Sequence, residues 1–128
     1  APGYVCGGFT HIISRPTLEK ICGIKATDDT EMTKPYLINS GKFTVKWLEV
    51  DSIFKNTKVR LTLDYPEDLE FFRRVFDEMK MDRNVIPLRE ILVFLDAHPY
   101  LADINFFRQR DFSQNQKRSE KLELKPAK

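Results

Sequence analysis

Apolar residues recur every three or four positions in several stretches of the chain, a spacing that places them on one face of an α-helix. The clearest stretch follows Pro66, whose ring suits the first position of a helix. Its apolar residues are Leu69, Phe72, Val75, Phe76 and Met79. A second stretch, after Pro87, predicts a helix over residues 88–97. A third, entered at Ser14, predicts a helix over residues 16–22 that stops at Gly23.

Two shorter stretches alternate apolar and polar residues with the period of a β-strand. Residues 43–50 form the first. Residues 59–64 form the second, in which Arg60, Thr62 and Asp64 share one predicted face. We therefore predict an α/β fold with two or three strands and four to five helices. Because two strands rarely make a stable sheet alone, we expect the chain to be the carboxyl-terminal half of a larger α/β unit.

The remaining stretches carry weaker patterns. Acidic residues open residues 28–39, and Pro35 interrupts them, so we predict a broken helix that ends at Gly41. Residues 100–107 are apolar enough to pack against the body of the protein. Residues 113–128 have few apolar side chains and are predicted to be a mobile basic tail, which leaves residues 1–112 as a single domain.

The charge distribution argues against a nucleic-acid partner. The chain has 128 residues and a formal net charge of +2. Residues 108–128 hold seven Lys or Arg against three Asp or Glu, a charge of +4, which leaves −2 for the other residues. A slightly acidic body lacks the clustered positive face that neutralises phosphates, so binding through the basic tail is a distant alternative.

Cysteine spacing and hydropathy limit the other classes of function. Cys6 and Cys22 lack metal-ligand spacing, and the two histidines lie in unrelated contexts, so no zinc site is predicted. No apolar run approaches the roughly 18 to 20 residues that cross a bilayer, and no signal peptide is recognisable, so we expect no membrane association. These features predict a reducing, cytoplasmic location, although a single disulfide between Cys6 and Cys22 stays open.

Asp64 lies where a predicted strand runs directly into a predicted helix. In α/β folds ligands collect beyond the carboxyl ends of the strands, and a carboxylate there can hold Mg²⁺ against substrate phosphates. The alternative is that Asp64 neutralises the helix dipole or bonds the free N–H groups of the first turn. Physical reasoning alone favours this second role.

Three segments in order resemble the sugar-activating cytidylyltransferases, a family that includes the 3-deoxy-manno-octulosonate and acylneuraminate enzymes and a spore-coat polysaccharide branch. RLTLDYPEDL, residues 60–69, is similar to the family signature R-x-T-x-D-T-P-E-D-L. TEMTKPY, residues 30–36, is similar to E-H-V-T-P-Y. LREILVFLDAHPYLADIN, residues 88–105, is similar to the closing helix and its L-D-x-x-P-x-L-x-x-I-N ending. The resemblance covers roughly residues 8–105 and is closest to the spore-coat branch.

The resemblance implies an incomplete α/β unit of the nucleotide-diphosphate-sugar-transferase type. It also implies transfer of a cytidylyl group from CTP to an acidic sugar for surface polysaccharide biosynthesis, with Mg²⁺ and release of pyrophosphate. It places Asp64 as the metal-binding aspartate. Arg60 is then the predicted catalytic residue and holds that carboxylate or a phosphate, with a structural salt bridge as the alternative. Glu31 and Lys34 are the predicted sugar-binding residues, with a solvated surface position as the alternative.

The chain departs from the family pattern at several points. Tyr65 replaces the threonine that caps the helix, and Met32 replaces a histidine. The family's nucleotide loop, rich in Arg, Ser and Lys, has no counterpart, because Gly7 and Gly8 lack the lysine and the spacing that phosphate binding needs. We therefore expect the chain to be inactive without a separate amino-terminal half.

A second hypothesis makes the chain a non-catalytic interaction module. An exposed sheet edge and the apolar residues 100–107 would leave backbone groups and apolar surface for dimerisation or strand exchange. We expect a homodimer.

Overall fold

A computed structural model describes residues 3–8, 11–28, 33–56, 58–80, 85–119 and 122–126. Those residues form six α-helices and one short 3₁₀ helix, Ser52–Phe54. The α-helices are α1 (Arg15–Ile24), α2 (Lys34–Asn39), α3 (Pro66–Glu78), α4 (Leu88–Ala97), α5 (Pro99–Phe106) and α6 (Arg108–Ser119). Within these ranges the chain has isolated β-bridges and no β-strand, so the prediction of an α/β fold is wrong.

Both predicted strands lack a partner strand among the described residues. Residues 44–50 have no regular structure. In residues 59–64, Arg60 forms one parallel bridge with Cys6, in which the Leu61 N–H donates to the Cys6 carbonyl oxygen at 2.8 Å. Sequence alternation shows which side chains could share one face of a sheet, but a ladder also needs a second extended segment with free backbone groups. The sheet edge of the interaction-module hypothesis is therefore also absent from the described part of the chain.

The predicted helices are confirmed. Helix α4 has the predicted bounds, and α3 begins at Pro66. Helix α1 extends beyond the predicted residues 16–22 at both ends, and Gly23 lies inside it instead of ending it. The broken helix is represented by α2, which carries Pro35 in its first turn, while residues 29–32 of that prediction lie outside the described residues.

The chain divides into two compact units. The first combines Ala1–Thr10 with Leu48–Phe112, and the second combines His11–Trp47 with Ser113–Lys128. Residues 113–128 are thus grouped with residues 11–47. Helix α6 continues to Ser119. The mobility of residues 113–128 stays a prediction.

An apolar core lies between α3, α4 and α5 in the first unit. Its buried side chains come from one face of each helix and from the extended segments around residues 5 and 59. They are Val5, Val59, Phe71, Val75, Leu92, Leu95, Leu101 and Ala102. Because Leu101 and Ala102 are buried, the prediction that residues 100–107 pack against the body is confirmed. Burial of one large apolar side chain contributes about 1.5 to 3 kcal/mol, so this core stabilises the packing of α3, α4 and α5.

The second unit is held together by contacts around α1 and α2. Ser14 caps α1, and its Oγ accepts a hydrogen bond from the Thr17 N–H at 3.3 Å. Tyr36 of α2 is buried, and its hydroxyl donates to the Glu123 carbonyl oxygen at 3.2 Å. The Lys25 ammonium lies 5.1 Å from the centroid of the Tyr36 ring. These contacts join residues 122–126 to the two helices.

Candidate functional site

The residues before α3 bring two of the predicted site residues together. Arg60 is fully buried, and its Nη2 donates to Asp64 Oδ2 at 2.7 Å. The expected contact between Arg60 and the Asp64 carboxylate is therefore present. The Asp64 side chain remains 46% exposed, so one carboxylate at the mouth of a buried cluster faces solvent.

Asp68 is the centre of the cluster and is itself fully buried. Its Oδ1 accepts from Arg60 Nε at 3.0 Å, and its Oδ2 accepts from Arg60 Nη2 at 3.0 Å. This two-point geometry is the strong form of a guanidinium–carboxylate pair. Oδ2 also accepts the backbone N–H groups of Asp64 at 2.8 Å and Tyr65 at 3.0 Å. Asp68 therefore fixes both the guanidinium and the turn that leads into α3.

Asn105 connects this cluster to α5. Its side chain is fully buried, and Nδ2 donates to Asp68 Oδ1 at 2.9 Å and to the Arg60 carbonyl oxygen at 3.1 Å. The bonds join residues 37 and 45 positions apart in sequence. We refer to Arg60, Asp64, Asp68 and Asn105 as the arginine network.

The arginine network keeps its central pair ionised despite burial. Burial alone would raise the pKa of Asp68, but the Arg60 guanidinium, the two backbone N–H groups and the Asn105 amide together hold that pKa below its ordinary value. Burial lowers the pKa of Arg60. The hydrogen bonds to Asp68 and the negative charge of Asp68 raise it by more, so the pKa of Arg60 lies above its ordinary value. Opposite charges and hydrogen bonds favour the charged forms more strongly than desolvation opposes them.

Aromatic rings cover the guanidinium. Arg60 Cζ lies 4.5 Å from the centroid of the Phe112 ring and 5.3 Å from that of Tyr65. Its Nη1 is buried with no hydrogen-bond partner among the described residues, so the ring faces supply the remaining stabilisation of this cation. Phe112 belongs to α6, which thereby closes one side of the cluster.

A second ion pair holds the beginning of α6. Arg108 Nη2 donates to Glu67 Oε1 at 2.8 Å, and Arg108 Nε donates to Glu67 Oε2 at 3.1 Å. The Arg108 hydrogen bonds lower the pKa of Glu67 from its ordinary value. Part of the positive charge that the sequence places after residue 107 is therefore used inside the first unit.

The other predicted site residues are placed differently. Lys34 is exposed at the first residue of α2, in the second unit. Glu31 lies outside the described residues. In the part of the chain that the structure describes, no group of three or more His, Cys, Asp or Glu side chains is arranged to hold a metal ion. Cys6 and Cys22 are free thiols.

Sequence reasoning missed Asp68 and Asn105 as site residues. Two signals could have identified them. Asp68 follows Asp64 by four positions across a helix start, where both carboxylates can reach one cation. Asn105 is a polar residue between Ile104 and Phe106 in a stretch read as apolar, and a buried amide needs partners.

No protein-family model, curated protein or solved structure matches the chain. None of the described helices is long and apolar enough to cross a membrane. The resemblance to the cytidylyltransferases thus depends on the sequence motifs alone.

Proposed function

We propose that the chain is part of a nucleotidyltransferase that transfers a cytidylyl group from CTP to an acidic sugar for surface polysaccharide biosynthesis. One observation carries the proposal: two separate segments that resemble the family meet in the arginine network. Arg60, Asp64 and Asp68 come from the first segment, and Asn105 comes from the closing one. A resemblance by chance gives no reason for the polar residues of both segments to converge on one buried cluster.

In this proposal Asp64 provides the metal ligand. Proteins commonly hold Mg²⁺ with one or two carboxylates together with substrate phosphates and water, so a single half-exposed carboxylate fits the ion. When bound, Mg²⁺ would offset negative charge on the phosphates. Arg60 holds one Asp64 oxygen and Asp68 holds the Asp64 backbone N–H, so both act as positioning residues.

The other parts of the proposed reaction need further residues. By the resemblance, Lys34 and Glu31 are the proposed sugar-binding residues, and Lys34 is an exposed residue. Because the sequence has no phosphate-binding loop, the proposal includes a separate polypeptide segment that supplies one. Mg²⁺ and CTP are therefore expected to bind weakly to this chain alone.

Calorimetric titration with Mg²⁺ and CTP tests the role of Asp64. The wild-type chain is compared with Asp64→Asn, which keeps an oxygen for Arg60 and removes the charge. Asp77→Asn is the matched control, because Asp77 is an exposed carboxylate on α3 outside the arginine network. We expect Mg²⁺-dependent CTP binding in the wild type and the control, and a loss of about tenfold or more in Asp64→Asn.

The reaction itself is tested by adding a nucleotide-binding half from a family member and measuring pyrophosphate release. We expect release that depends on Mg²⁺, on CTP and on a sugar acid such as 3-deoxy-manno-octulosonate or an acylneuraminate. Absence of release with every such sugar, or equal release by Asp64→Asn and Asp77→Asn, would contradict the proposal.

A further inference from the structure

An open groove of about 740 Å³ lies on the first unit, between the 3₁₀ helix, the segment before Arg60, and helices α4 and α5. Its apolar lining includes Val59, Leu95, Ala102 and Phe106. This volume is within the range of binding sites in proteins. Val59 lines the groove whereas the neighbouring Arg60 does not, so the groove is separate from the arginine network.

Four charged side chains surround this apolar lining. Lys55 and Lys58 come from the segment after the 3₁₀ helix, Asp96 comes from α4, and Asp103 comes from α5. None of the four forms an ion pair with another residue in the described ranges, although both signs are present at one groove. An occupant that carries one cation and one anion on an apolar body would therefore complement the groove.

Residues 44–50 of the chain have this chemistry. They have no regular structure, and three large apolar side chains are exposed: Val45 at 39%, Trp47 at 54% and Leu48 at 68%. Lys46 and Glu49 are also exposed. In an extended segment these two charges lie roughly 10 Å apart, at about 3.3 Å per residue.

We propose that the protein forms a reciprocal dimer in which residues 44–50 of one copy lie in the groove of the other. Trp47 contacts the apolar lining, Lys46 faces the aspartates, and Glu49 faces the lysines. The segment carries the apolar body, the cation and the anion that complement the groove, so the proposed occupant is this segment of a second copy. Each copy supplies one segment and one groove, so a two-fold dimer contains the contact twice, and an aromatic anchor in each groove is typical of the residues that dominate binding energy.

A pair of charge-reversed chains tests this pairing. The first chain carries Lys55→Glu and Lys58→Glu, so its groove repels its own Glu49. The second carries Glu49→Lys, so its segment is repelled by its own lysines. Each chain alone is expected to dimerise at least about tenfold more weakly than the wild type. In a mixture, the reversed groove of the first chain meets the reversed segment of the second, so opposite charges face each other in that contact. The other contact of the heterodimer keeps the native charges. We therefore expect analytical ultracentrifugation to show a heterodimer of near wild-type affinity.

Matched controls separate this contact from a general effect of net charge. Glu70→Lys on α3 changes the charge as Glu49→Lys does. The double change Lys117→Glu with Arg118→Glu on α6 matches the double lysine change. Both controls lie outside the groove and are expected to dimerise like the wild type.

Trp47 gives a second, direct reading of the contact. The chain has a single tryptophan, so its fluorescence reports on Trp47 alone. We expect emission to shift to shorter wavelength as the wild-type chain dimerises, because the indole leaves water for the apolar lining.

Several results would overturn the proposal. They are a wild-type chain that stays monomeric at all concentrations, a dimer in which Trp47 emission does not shift, and charge-reversed chains that dimerise like the wild type. Failure of the two reversed chains to pair with each other would also overturn it, because the restored charges must rescue the contact.

Discussion

Asp64 and Asp68 contact the same guanidinium, but burial gives them different energetic roles. Asp68 is fully buried and accepts bonds from Arg60, two backbone N–H groups and Asn105. The Asp64 side chain is half-exposed, and water can replace its hydrogen bond to Arg60. Removing one partner of a buried ion pair leaves an uncompensated charge, whereas an exposed pair contributes little.

We therefore predict that Asp68→Asn lowers the free energy of unfolding by about 3 to 5 kcal/mol. Asp64→Asn is expected to lower it by about 1 kcal/mol or less. Urea unfolding followed by far-ultraviolet circular dichroism measures both. Asp77→Asn serves as the baseline for a surface change, and equal losses for Asp64→Asn and Asp68→Asn would show that the arginine network does not depend on Asp68.

The pH dependence of stability follows from the same residue. The pKa of Asp68 lies below the ordinary value of 3.8 in the folded chain, so the unfolded chain binds more protons as the pH falls. The stabilisation is fully present above about pH 4 to 5 and is lost as the pH falls through the folded-state pKa. Urea unfolding of the wild type from about pH 7 to pH 3 should show this loss, and it should be smaller in Asp68→Asn.

The sequence predicted part of the arginine network and missed the rest for a physical reason. Arg60 and Asp64 were linked because they are close in sequence and share a recognisable motif. Asn105 is 37 residues from Asp68, and only the packing of α5 against α3 brings the two side chains together. Periodicity shows that α5 packs, but not which polar residue on it reaches a buried partner.

At the scale of elements, helices and strands differed in how well the sequence determined them. Helix α4 has the predicted bounds because a stripe of apolar residues and a preceding proline are local signals. The sequence does not predict helix α6 over residues 113–119, because these residues are polar. The charges of α6 nevertheless follow the helix dipole, with Asp111 in its first turn and Lys117 and Arg118 in its last. The prediction of the strands was wrong because the pairing of two strands depends on a second segment that is distant in sequence.

The single bridge between Cys6 and Arg60 depends on the glycine that follows it. Gly7 has φ of +85°, and a Cβ built there would lie 2.3 Å from the Leu61 carbonyl oxygen. We predict that Gly7→Ala destabilises the chain by about 2 kcal/mol or more, because both the conformation and the close approach exclude a side chain. Thermal unfolding measures the effect.

Gly23 provides the opposite test. It lies inside α1, and a Cβ there would have no neighbour within 4 Å. Gly23→Ala is expected to stabilise α1 by about 0.5 to 1 kcal/mol, because alanine loses less conformational entropy in a helix. Destabilisation by Gly23→Ala, or tolerance of Gly7→Ala, would contradict the two backbone assignments.

At the scale of the whole molecule, the arginine network and the groove lie on different sides of one short segment. Arg60 enters the network, and the preceding Val59 lines the groove. Among the described residues the two surfaces share no polar side chain. The proposed nucleotide binding at Asp64 and the proposed self-association through the groove are therefore expected to be separate properties of the chain.

We predict that the two properties respond independently to mutation. Asp64→Asn is expected to leave the dimer dissociation constant within about twofold of the wild type, since changes at distant sites without shared partners add within about 0.3 to 0.5 kcal/mol. Glu49→Lys is expected to weaken the dimer and to leave Asp64-dependent binding of Mg²⁺ and CTP unchanged. Sedimentation and calorimetry on the same two variants measure both effects. Loss of both properties in Glu49→Lys would mean that the second copy completes the nucleotide site, whereas independent losses show that each chain carries its own.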